Sequence, residues 1–116
     1  MALTTREITR EEWKPYFDDF SRDLADLIAT VEVDGPSVGA QIEAERPRLT
    51  GISYDDRDDI LVIGLDNSGE IGEDLEHVIS SPQRIYLASG EGAEMVFDIQ
   101  DSEGNQTVLR LQPAPS

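Results

Sequence analysis

The chain's one imidazole is His77, within Leu75-Glu76-His77-Val78-Ile79, and there is no cysteine. A closed zinc site draws about four ligands from Cys and His, so a histidine-based transition-metal centre is nearly excluded. Thiolate nucleophiles and redox switching are absent as well. A histidine acts as a general base only when a neighbour orients it within hydrogen-bond reach. Spacing along the chain names no such neighbour. His77 alternates with Leu75 and Ile79, the pattern of a hydrogen-bonded residue packed within a strand. Should the sheet enclose a pocket, His77, Tyr54 and Tyr86 are the residues expected to contact a ligand.

Carboxylates are abundant. Asp55, Asp56, Asp58 and Asp59 crowd one short stretch, and hard cations prefer oxygen ligands. The stretch lacks the calcium-loop spacing, with its glycine and distal glutamate, and so does Asp66-Asn67-Ser68-Gly69-Glu70. These aspartates are therefore a weak metal candidate, and a solvated loop is the expected reading. The acids are too many for spacing to single out a pair for glycoside chemistry. Gly69 to Gly72 and Gly90 to Gly92 lack the strand, helix and lysine of a phosphate-cradling loop, and Lys14 belongs to none. No cofactor is expected, and no catalytic constellation is assembled.

The 25 acidic residues against 9 basic ones leave a net charge of −16. Such a surface repels nucleic-acid phosphates and anionic lipid, so neither is an expected partner. Eight of the nine basic residues are arginine. High acid with a single lysine fits a protein working in concentrated salt, where self-repulsion is screened. An arginine-favouring genome gives the same bias. Met1 to Glu7 carries no apolar run behind a basic start, and no stretch approaches the ~18 apolar residues of a membrane span. A cytoplasmic location is the default.

The elements that would position these residues follow from periodicity. Thr9-Arg10-Glu11-Glu12 has the form of a capping box, and Trp13, Phe17, Phe20 and Leu24 then recur at helical spacing. The spacing predicts a helix over about 10–23, with Pro15 in its first turns. Its aromatic stripe reads as core packing. Beyond Leu24 the rhythm shortens to two. Strands are predicted at 28–33, 38–45, 49–54, 60–65, 75–79, 84–88, 94–99 and 107–111. Arg46-Pro47 breaks the second from the third, and Ile60 to Leu65, apolar on both faces, is the candidate central strand. Asp34-Gly35-Pro36-Ser37, Glu91-Gly92 and Asp101 to Asn105 are turn chemistry. Residues 1–116 thus form a single domain: helix about 10–23, β meander about 27–111, tail 112–116. The class is α+β, mostly β: an N-terminal helix packed on a curled antiparallel sheet or small barrel of seven or eight short strands.

Thr5-Arg6-Glu7-Ile8, Glu12-Trp13, Phe17 and Phe20-Ser21-Arg22 continue into Glu32-Val33, Gly39-Ala40-Gln41, His77, Ile79 and Pro82. In this order the chain resembles a family of small bacterial proteins known as a domain of unknown function. The resemblance spans nearly the whole chain and implies one bacterial domain. It implies no activity, cofactor or catalytic residue.

The leading expectation is a non-enzymatic binding or interaction module. It would use an exposed apolar patch or sheet edge toward a protein partner or for self-association, including a homodimer. The alternative is a small-molecule-binding protein or enzyme with a pocket in the rolled sheet. A third is solubility in salt with no defined partner.

Overall fold

A computed structural model describes residues 4–24, 26–36, 41–66, 74–90 and 94–114. The chain opens with strand β1 (Thr4–Ile8) and turns at Thr9 into helix α1 (Arg10–Arg22). The box at Thr9 forms. Its amide donates to Glu12 Oε1 at 3.1 Å and its hydroxyl to the same oxygen at 2.9 Å. Those bonds, the backbone one foremost, hold the Glu12 carboxyl below its usual range. Pro15 is the sixth residue of the helix, past the first turn, so the bond its amide would have made to the Glu11 carbonyl is missing. Trp13 and Phe17 are buried, and Tyr16, Phe20 and Leu24 pack beside them.

Seven strands follow: β2 (Leu27–Asp34), β3 (Gln41–Asp55), β4 (Ile60–Asp66), β5 (Asp74–Ser80), β6 (Pro82–Ser89), β7 (Met95–Asp101) and β8 (Gln106–Pro113). They make one antiparallel sheet in the order β1-β6-β7-β8-β2-β3-β4-β5. The order joins two runs of neighbours, β6 to β8 and β2 to β5, through the β8–β2 pair. β5 ends the sheet and β6 stands next to the opposite end, yet Ser81 alone connects them. The sheet must therefore curl until its ends approach at that residue, and it stays open. Of the curled sheet and the closed barrel, the curled sheet is what forms.

Alternation supplies the core. Leu27, Ala29 and Val31 point inward from β2; Leu61, Ile63 and Leu65 from β4; Phe97 and Ile99 from β7; Leu109 and Leu111 from β8. One buried cluster joins inward residues of all eight strands to Trp13 and Phe17 of α1. Phe97 is the hub. Its ring lies 5.6 Å from Phe17, 5.9 Å from Phe20 and 6.4 Å from Tyr16.

The helix also serves the sheet's backbone. β2 pairs with β3 only as far as Arg48, whereas β4 pairs with β3 from Arg48 to Asp55. The second half of β3 is thus left without β2, and α1 covers it. Ser21 Oγ donates to the Ile52 carbonyl at 2.7 Å and accepts from the Ile52 amide at 2.8 Å. One hydroxyl does the work of a neighbouring strand.

Several expectations need correction. Thr4–Ile8 is a strand that short-range pattern did not predict. Arg46-Pro47 does not end a strand: β3 runs through it. The β2–β3 register shifts between Ile28↔Arg48 and Thr30↔Glu45, so an extra β3 residue bulges there and the proline's missing amide is tolerated. Ile60–Leu65 is next to the edge, not central. The central pair is β8–β2, whose outer face carries the Arg110–Glu32 ion pair at 3.2 Å. An antiparallel sheet solvated on one face needs no doubly apolar centre. β8 reaches Pro113, inside the predicted tail. Val38 to Ala40, residues 67–73 and the Glu91-Gly92 pair lie outside the described residues. No helix of the described residues is long and apolar enough to cross a membrane.

Candidate functional site

The end strand β5 and the β7–β8 hairpin face each other across a cavity of about 420 Å³. One wall is five consecutive residues, His77 to Ser81. Successive side chains of a strand point to opposite faces. A cavity touching consecutive residues therefore lies along the strand's edge rather than on one face. The far wall is Val33, Thr107 and the hairpin residues Asp101, Ser102, Glu103 and Asn105. The result is a slot beside the outermost strand, with hydroxyl, imidazole, amide and carboxylate groups around it.

Local chemistry shapes the far wall. The Asp101 carboxylate accepts from the Glu103 amide at 2.9 Å, the Asn105 amide at 3.0 Å and Asn105 Nδ2 at 3.4 Å. Gly104, at φ 84, supplies the left-handed residue this hairpin needs. Asn105 also seats the β2 end, where a Cβ on Gly35 would stand 1.9 Å from Asn105 Oδ1. The slot's corner is built from two strained residues. Asp59 and Ser81 have φ of 54° and 53°, the Ser81 amide donates to the Asp59 carbonyl at 2.8 Å, and the Ser102 amide donates to the Ser81 carbonyl at 3.0 Å.

His77 is the one predicted ligand contact that lines the slot. Tyr54 is buried within the curl, its ring 5.1 Å from Trp13 and edge-on to it. Its hydroxyl donates to Asp59 at 2.7 Å. Burial first, then the Asp59 acceptor and its charge, raise the Tyr54 phenol above its ordinary value. Tyr86 alternates with buried Ile85 and Leu87 and so faces outward, where Arg84 Nη1 donates to it at 3.4 Å. The three residues are not brought together.

Two of the four aspartates of the candidate metal loop, Asp55 and Asp59, do other work. Asp55 accepts from the Arg57 and Asp58 amides at 2.9 and 3.3 Å. Asp59 takes Tyr54 and Arg10, and Arg10 also donates to the Pro82 carbonyl at 3.0 Å and lies 4.4 Å over the Trp13 ring. Among the described residues, no three His, Asp or Glu side chains are arranged to hold a metal ion.

Sequence reading did not assign Val33, Thr107 or the hairpin to the site. Thr107 carried a signal, being the polar member of the inward stripe Thr107, Leu109, Leu111, and it is buried. The edge itself has one too. Leu75 and Val78 are the large apolar side chains left exposed among the described residues, 43% and 48%, and both are on β5.

A family of unknown function, DUF5335, matches residues 4–116. The chain belongs to this family. An uncharacterized protein of Aquifex aeolicus (strain VF5) is 33% identical over 112 residues, covering 97% of this chain and 96% of that protein. No solved structure matches. The family description names neither a ligand nor a reaction.

Proposed function

We propose that this protein is a non-enzymatic binding module that accepts an extended segment of another protein along β5. The slot running beside His77 to Ser81 carries the reading. An end strand presents a row of backbone donors and acceptors, and a peptide in extended form pairs with them. Leu75 and Val78 add apolar surface on alternate faces of the same strand. A second copy of this chain is the weaker occupant, because each would bring a net charge of −16 and the two repel.

The test is an amide-shift titration of isotope-labelled protein with capped seven-residue peptides of alternating valine and a polar residue. Shifts confined to residues 75–81 and 101–107 are expected. Absence of shifts there for every peptide overturns the reading.

A compact ligand is a second reading, favoured by the slot's volume of about 420 Å³, within the range of small-molecule sites, and by the imidazole on its wall. A thermal-shift screen against the wild type and His77→Ala tests it. A ligand that stabilises both proteins equally removes His77 from the site.

A further inference from the structure

We infer that the segment β5 accepts is basic, with Lys or Arg alternating with apolar residues; this rests on the strand-addition reading above. An added strand would place successive side chains on opposite faces. One set would share the face of Val78, which is paired across the sheet with Val62, and continue that apolar row. The other set would share the face of His77 and Ile79 and lie between β5 and the hairpin that carries Asp101 and Glu103. A long basic side chain suits this position: its methylenes lie along Val33 and Ile79 while its charge reaches the carboxylates. Glu76 on β5 itself and the net charge of −16 add attraction for a cation at longer range. An acidic segment would set like charges against Asp101 and Glu103 in the same narrow space.

Three capped seven-residue peptides separate the terms: valine alternating with lysine, with serine and with glutamate. In dilute buffer the lysine peptide should bind about tenfold or more tighter than the serine peptide, and the glutamate peptide weakest. The lysine advantage should shrink toward nothing in about 1 M NaCl, where the screening length is about 3 Å. Glu103→Lys alters an exposed side chain whose backbone keeps its bond to Asp101. This variant should weaken the lysine peptide and strengthen the glutamate peptide. Equal binding of lysine and serine peptides, with shifts still at 75–81, overturns the basic preference and leaves strand addition standing. No shifts at 75–81 with any peptide overturns both. So does a dimer seen by light scattering that tightens with salt, maps to β5 and is not displaced by peptide.

Discussion

Two parts of the curled sheet are finished in different chemistry. At one, α1 lays Trp13, Phe17 and Phe20 over Phe97 and seals the interior with aromatic contacts. At the other, no helix among the described residues arrives, and Val33, Thr107, His77 and the hairpin surround open space. The contrast separates stability from recognition. The sealed part can be perturbed only by undoing packing. The open part already holds polar groups in contact with space that a partner can fill.

Truncations in the two parts should therefore differ most. Phe17→Ala removes a fully buried ring next to Phe97 and should cost about 3–5 kcal/mol. Against a total of roughly 5–15 kcal/mol for a domain, that is a large part of the fold's stability. Val33→Ala, at the half-buried slot wall, should cost about 1 kcal/mol. Urea unfolding of both variants measures the difference, and equal losses would break the distinction. Next in size is Ser21→Ala. It leaves the Ile52 amide and carbonyl without their helix partner, at about 1–3 kcal/mol.

The legible parts of this arrangement were those written at short range. Thr9 and Glu12 announce the helix start, and the Trp13-Phe17-Phe20 spacing names the face that meets the core. The alternation of Phe97 and Ile99, and of Leu109 and Leu111, names the inner face of the sheet. What was hidden depends on contacts distant in sequence. β1 is held by pairing with β6, whose residues lie some eighty positions on, and its own burial pattern shows four exposed residues of five. The Pro47 bulge depends on a partner strand, and the slot exists only because β5 and the 101–105 hairpin meet across the curl. His77 was readable as an inward residue of a strand; its neighbours were not.

A smaller effect probes the helix-sealed part through protonation. The Tyr54 phenol is raised in the fold by burial and by Asp59, with Arg10 opposing, and the Tyr16 phenol is raised by burial. The unfolded chain releases these protons near pH 10, so between that value and the higher folded one the native state binds more protons. Stability should be intact below about pH 10 and should fall as pH rises through the folded values. Tyr54→Phe should reduce that alkaline loss and leave the part due to Tyr16. Thermal melts at pH 8 to 11.5 measure it, and an unchanged slope in the variant would break the assignment to Tyr54.

The corner joining the two parts gives the smallest and sharpest test. Ser81 and Asp59 share a left-handed backbone that costs a residue with a Cβ about 1–2 kcal/mol, and glycine removes that cost. The Ser81 side chain donates and accepts in none of the bonds that fix the corner; its amide and carbonyl do. Ser81→Gly should therefore gain up to about 0.5–1 kcal/mol, the relief being offset by the added freedom of the unfolded chain. Asp59→Gly obtains the same backbone relief but loses the acceptor of Tyr54 and Arg10, so it should lower stability. Opposite signs from one backbone change would show that side-chain contacts hold the sealed side of the corner and main-chain bonds hold the open side. Equal signs in urea unfolding would show that the corner does not divide in this way.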